Sequence, residues 1–286
     1  MNNQLINLHI NILALVGTNL FAGTYSDGVF LSTDNGTNWT QTNSGLPSSF
    51  VNTLTVNGPY LFAGCSSGVY RSTNNGLSWN QVNSGLTDSN ITALTVSGTN
   101  LFAGTFQSGV FISTNNGTSW NAANSGLQYN SIVAFAVNGT NLFAATTRVD
   151  KDVFVTTNNG ASWNIVNTGV TNLNVDAFAV SGTNIFAGTI SNGIIRSTDN
   201  GKSWSAVNTG LPYDSLQSAF YPVSVFAMRG LMIFTGTYRG VYYSTNNGAS
   251  WNAANTNLQY NIEALAVGVS YIFASMGDGG IWRSPI

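Results

Sequence analysis

Short apolar runs separated by Asn-Gly and Ser-Gly pairs recur along the whole chain, at lengths that suit strands and not helices. One stretch serves as the type. Val51–Val56 (VNTLTV) predicts a first strand turned by NGPY, and Leu61–Gly64 (LFAG) a second. Val69–Thr73 (VYRST) predicts a third and Ser78–Val82 (SWNQV) a fourth, after which NSGL leads onward. The Asn-Gly and Ser-Gly pairs read as hairpin turns because they accept positive φ at little cost. In the first strands, small residues (Ala93/Thr95, Ala134/Ala136, Ala177/Ala179, Ala264/Ala266) alternate with large ones (Leu54, Leu94, Phe135, Phe178, Phe226, Leu265). No face is consistently polar, so both faces of each sheet are expected to be covered.

The unit repeats. Trp39, Trp79, Trp120, Trp163, Trp204 and Trp251 are spaced by 40, 41, 43, 41 and 47 residues. A period in the low forties with four short strands per unit predicts propeller blades. Ile262–Ser284 supplies three strands of a seventh unit, in which Trp282 takes the third-strand place of Phe30, Tyr70 and Phe111. The expectation is an all-β, seven-bladed propeller of four-stranded antiparallel blades, one domain over residues 1–286. It holds six full repeats and a partial seventh, which the N-terminal stretch Gln4–His9 would close as the outer strand.

Before each of the six tryptophans stands one phrase: STDNGTNW, STNNGLSW, STNNGTSW, TTNNGASW, STDNGKSW and STNNGASW. It resembles the Asp-box, or BNR repeat, of sialidases, oligoxyloglucan hydrolases, sortilin-type receptors and photosystem II assembly factors. Ser32, Asp34, Gly36 and Trp39 fit fully, as do Ser197, Asp199, Gly201 and Trp204. Asn74, Asn115, Asn158 and Asn246 replace the aspartate elsewhere. A catalytic carboxylate or calcium ligand would not tolerate that loss of charge. A short side chain accepting backbone N–H groups would, so the box reads as a structural staple with tryptophan covering its hairpin.

Composition narrows the function. Eight basic and ten acidic residues give no nucleic-acid footprint. The single Cys65 and single His9 leave neither a disulfide framework nor a histidine metal cluster, so no metal or cofactor is expected. No apolar run reaches the roughly 18 residues of a membrane span. Solubility rests on Asn, Ser and Thr, which suits an extracellular or periplasmic bacterial setting, although no signal peptide is read in this sequence. A monomer is expected.

Variation between repeats concentrates on the loops joining second to third strands and on the links between blades, the face opposite the boxes. Ligand-binding candidates there are Tyr25, Phe106, Tyr129, Arg148, Tyr213, Tyr238, Arg239 and Tyr260, because aromatics with sparse polar partners suit sugars or peptides. Sialidase resemblance would imply an arginine trio, but Arg71, Arg196 and Arg283 share one strand position beside the box and read as strand decoration. Asp176 and Glu263 fall two blades apart near the channel mouth and are the only, weak, catalytic candidates, as a glycosidase pair. The sequence therefore points to a non-catalytic binding or scaffolding module for glycan or protein, with a sialidase-like or xyloglucan-hydrolase-like glycosidase as the alternative.

Overall fold

A computed structural model describes residues 5–47, 50–128, 130–147, 152–166, 174–254, 260–277 and 279–286. It is an all-β, seven-bladed propeller. The inner strands, in order around the ring, are Ile10–Val16, Val51–Asn57, Ile91–Ser97, Ile132–Asn138, Val175–Ser181, Val223–Arg229 and Ile262–Val267. Each packs on the next, and the last packs on the first. Blades 1 to 6 are four-stranded antiparallel meanders, while the seventh sheet has three strands, Ile262–Val267, Tyr271–Met276 and Ile281–Pro285. A short hairpin, Tyr213–Asp214 with Ala219–Phe220, decorates the link from blade 5 to blade 6.

The second strand is the core of every blade. Asn19–Thr24 and its six counterparts share one pattern, a half-buried first residue followed by five buried ones. Phe21, Phe62, Phe102, Phe143, Phe186, Phe234 and Phe273 occupy one position in it. A close approach between blades falls two residues further on. A Cβ on Gly23, Gly64, Gly104, Gly188 or Gly236 would lie 2.5–2.7 Å from the first residue of the next inner strand. Five blades carry glycine there, while Ala145 and Ser275, both fully buried, hold the place in blades 4 and 7, so the position takes only small residues.

The boxes join blades as well as pinning hairpins. In each, an asparagine at positive φ (54° to 60°) precedes the glycine, as a tight hairpin turn needs. The Gly36 and Gly201 N–H groups donate to the Ser32 and Ser197 hydroxyls, both at 2.8 Å. The five later indoles reach back across the seam: Trp79 donates to the Thr42 carbonyl at 2.9 Å, and Trp120, Trp163 and Trp251 donate to Val82, Ala123 and Val207 at 2.8 Å. Trp204 reaches Val166 at 3.1 Å. The box glycine also sits on the second-strand phenylalanine of the preceding blade, Gly76 on Phe21 and Gly248 on Phe186.

Asp and Asn serve the box equally because a serine hydroxyl can turn either way. Asp199 Oδ2 accepts from the Ser203 hydroxyl at 2.6 Å, whereas Asn74 Nδ2 donates to the Ser78 hydroxyl at 2.9 Å. In both cases Oδ1 accepts the following backbone N–H at 2.9 Å. Box hydrogen bonds hold the exposed Asp34 and Asp199 carboxyls down at about 2. The box-side arginines are seam fasteners. Arg71, Arg196 and Arg283 donate to the carbonyls of Asn116, Asn247 and Asn35 in the next blade's box.

The N-terminal stretch meets the last blade, but at a turn. Ile6 bridges Gly279, and the Gly280 N–H donates to the Leu5 carbonyl at 3.0 Å. These contacts lie in the connection between the second and third strands of blade 7, not along the outer edge of Ile281–Pro285. Register explains the difference: Leu5 stands as far before Ile10 as Leu46 before Val51, so the stretch corresponds to an inter-blade link. Leu5, Ile10, Leu13 and Trp39 then pack with Ala264, Phe273 and Ile281 to seal the ring.

Candidate ligand site at the mouth of the ring

Every inner strand is bulged at its second residue. In blade 1, Ile10 pairs with Thr24 and Ile12 with Gly23, leaving Asn11 out of the ladder; the same shift isolates Asn52, Thr92, Val133, Asp176, Ser224 and Glu263. A bulge re-aims the extra side chain. Here it aims it at the neighbouring blade. Asn11 donates to the Val51 carbonyl at 3.2 Å, Asn52 to Ile91 at 2.8 Å and Ser224 to Ile262 at 3.0 Å. Thr92 donates to Ile132 in the same way. Four of the seven bulges thus carry a partial belt of hydrogen bonds at the mouth of the ring, interrupted in blade 4 by the apolar Val133.

Asp176 and Glu263 occupy belt positions with side chains that, ionised, have no proton to donate. In blade 7 the bond is made by a substitute: Ser275, which stands where five other blades have the packing glycine, donates to the Ile10 carbonyl at 3.3 Å and accepts from the Ala264 N–H at 2.8 Å. Glu263 is thereby released from a structural duty that its counterparts perform.

Asp176 and Glu263 share a pocket. A cavity of about 320 Å³ between blades 5, 6 and 7 is lined by Asp176, Ile190, Pro222, Ser224, Tyr238, Asn261 and Glu263. Burial raises the Glu263 pKa above its ordinary value, opposed by His9 and by the Asn261 amide. Asn261 Nδ2 donates to Glu263 Oε1 at 3.0 Å, and His9 Nε2 stands 2.9 Å from Oε2, at ion-pair distance without hydrogen-bond alignment. Asn261 Oδ1 is likewise a buried acceptor with no donor among the described residues. The wall is therefore rich in acceptors and poor in donors. Among the described residues, no three His, Cys, Asp or Glu side chains converge as a metal site.

The other candidates fall around this pocket unevenly. Tyr238 is half exposed and lines it. Tyr25 joins through His9, which it meets edge-on at 5.7 Å while stacking on Phe50 at 4.0 Å. Arg239 turns to Tyr221, donating to its hydroxyl at 2.9 Å with the guanidinium 4.9 Å from the ring centre. Tyr213 packs edge-on against Phe220 in the link hairpin. Tyr260 is exposed just ahead of Asn261, and Phe106 belongs to blade 3, outside the pocket lining. Tyr129 and Arg148 lie outside the described residues. Sequence reasoning missed Phe50, His9 and Asn261; an aromatic at Phe50, where five of the other six links carry polar residues and one Pro222, was the available signal.

The repeated box and the ring together define a class, the seven-bladed Asp-box propeller. A BNR/Asp-box repeat matches residues 195–206, which run from the third strand of blade 5 through its box into the outer strand. One repeat of this β-propeller thus matches the BNR/Asp-box model, and the other five boxes repeat its phrase. Solved structures agree on the fold. YCF48 from Cyanidioschyzon merolae superposes with a TM-score of 0.73 at 13% identity, over 97% of this chain and 95% of that one. The GH74 xyloglucanase from Xanthomonas campestris gives 0.76 at 15% identity, over 98% of this chain and 52% of the enzyme. The computationally designed Ika8 protein gives 0.65 at 13%, over 98% and 97%. No curated protein sequence matches the chain.

Proposed function

We propose that this propeller is a binding module and that the pocket between blades 5 and 7 takes a neutral glycan. The observation that carries the reading is the replacement of two belt donors by Asp176 and Glu263, both lining one pocket beside the exposed ring of Tyr238. Carboxylates accept hydrogen bonds from sugar hydroxyls, and a tyrosine face stacks on a sugar ring. An extracellular or periplasmic setting and a monomeric state accompany this reading, and the whole of residues 1–286 acts as one domain.

Hydrolysis is the second reading, favoured by the pair of carboxylates and by the raised Glu263 pKa. Against it, both Glu263 oxygens already face side chains of the protein, so neither is poised to protonate a leaving group. A glycan array run beside a panel of fluorogenic glycosides, with xyloglucan oligosaccharides in both, separates the readings. Binding without turnover, weakened at least tenfold by Tyr238→Ala in a folded variant, is the expected result. Turnover abolished by Glu263→Gln would establish the hydrolase. Silence in both assays would refute the glycan and leave a protein ligand.

A further inference from the structure

We propose that the site takes a linear neutral oligosaccharide along its length, from the Tyr238 pocket past His9 onto a second aromatic shelf made by Tyr25 and Phe50. This rests on the glycan reading above and extends it from a single sugar unit to a chain.

The shelf is not a need of the fold. In each blade one residue follows the second strand and opens the loop on the mouth side. Its N–H donates to the carbonyl of the link residue just ahead of an inner strand: Tyr25 to His9 at 2.9 Å, Ser66 to Phe50 at 3.1 Å, Phe106 to Asn90 at 3.0 Å and Gly277 to Asn261 at 2.9 Å. That backbone bond asks nothing of the side chain, since Ser66, Thr147 and Gly277 hold the place in blades 2, 4 and 7. The link position is equally free, and Phe50 is its one phenyl ring.

The aromatics fall in line with the pocket. Tyr238 of blade 6 lines it, Gly277 comes next around the mouth, and Tyr25 of blade 1 follows. Gly277 is exposed and puts no side chain between the two tyrosines. Glu263 and His9 occupy that interval, with His9 Nε2 2.9 Å from Oε2 and the imidazole half exposed. The imidazole meets Tyr25 edge-on at 5.7 Å, and Tyr25 stacks on Phe50 at 4.0 Å. Although stacked, Tyr25 stays 52% and Phe50 37% exposed. Exposed aromatic area beside polar groups marks a place for a ligand. Aromatic shelf, carboxylate, imidazole and second aromatic shelf thus follow one another across blades 6, 7, 1 and 2. A sugar chain offers the complement, apolar ring faces along its length with hydroxyls at their edges. One unit seated on Tyr238 leaves the Tyr25 shelf uncovered, whereas a chain covers both.

The test titrates β-1,4-linked gluco-, manno- and xylo-oligosaccharides of one to six units into the whole protein by calorimetry. In a series that binds, affinity is expected to rise at least tenfold from two units to five. Tyr25→Ala should erase that rise while leaving the two-unit affinity within twofold, and Tyr238→Ala should weaken every length. Phe50→Ala should repeat the effect of Tyr25→Ala, and circular dichroism confirms that each variant folds. A flat dependence on length would overturn the chain, as would a Tyr25→Ala variant that weakens short and long members alike or neither; Tyr238→Ala would still speak for the pocket. Binding by none of the three series would also overturn the chain, while the glycan array decides the pocket separately.

Discussion

Asp176→Asn should make the protein more stable and a poorer binder. Four belt positions show the geometry an asparagine would adopt, Asn11 and Asn52 most directly, with amide-to-carbonyl distances of 3.2 and 2.8 Å. At position 176 the matching acceptor is the Val223 carbonyl, the first residue of the next inner strand. A net intramolecular hydrogen bond contributes about 1 kcal/mol. In a chain this size that raises Tm by roughly 2 °C. The substitution also removes one of two negative charges lining the same pocket, which acts in the same direction. Differential scanning calorimetry of both forms at pH 7 reads the shift, and the oligosaccharide found on the array reads the cost, a loss of at least tenfold in affinity. A fall in Tm would show that Asp176 is itself a structural residue, and the argument for a site would fail with it. Unchanged affinity alongside a raised Tm would leave the belt intact as an explanation and remove the pocket.

Two further outcomes follow from the boxes. The Asp34 and Asp199 carboxyls sit at about 2, below their ordinary value, so they favour the folded state above that ordinary value and lose the effect as pH falls through 2. Melting curves between pH 5 and pH 2 should therefore decline less steeply in the Asp34→Asn/Asp199→Asn double variant, and an equal slope would refute the assignment. Trp163→Phe keeps the ring but leaves the Ala123 carbonyl without its indole donor at 2.8 Å. Urea unfolding should show a loss of about 2 kcal/mol; a loss under 0.5 would mean that the seam bond carries no weight.

The strands, their order and the blade count were legible because each rests on local chemistry: apolar runs of strand length, Asn-Gly turns and a tryptophan every forty-odd residues. The box reads as a staple in the sequence because Asn74, Asn115, Asn158 and Asn246 stand where Asp34 and Asp199 do, and the hydrogen bonds around Asn74 and Asp199 have the same form. Its reach across the seam was not legible. The acceptor for Trp163 lies 40 residues back, and only the packing of blade 4 on blade 3 makes it a neighbour. The belt was half visible: Asn11, Asn52, Thr92 and Ser224 align with Asp176 and Glu263 in the repeat. A one-residue bulge, which no hydrophobic pattern records, is what turns those side chains sideways. Closure was read as strand addition because the last unit lacks a fourth strand, whereas the register of Leu5 with Leu46 makes the same residues a link.

The rotating serine hydroxyl in five of the six boxes, with the Asn38 amide in its place in the first, has a consequence for the molecule as a colloid. Since Asp and Asn serve the turn alike, the six boxes form a charge dial independent of the fold. Two aspartates now contribute to a net charge of −2; converting both to asparagine brings the chain to zero, and converting the four asparagines to aspartate brings it to −6. Mutual repulsion and salt response would change across that range, all on one face, while the backbone stayed as it is.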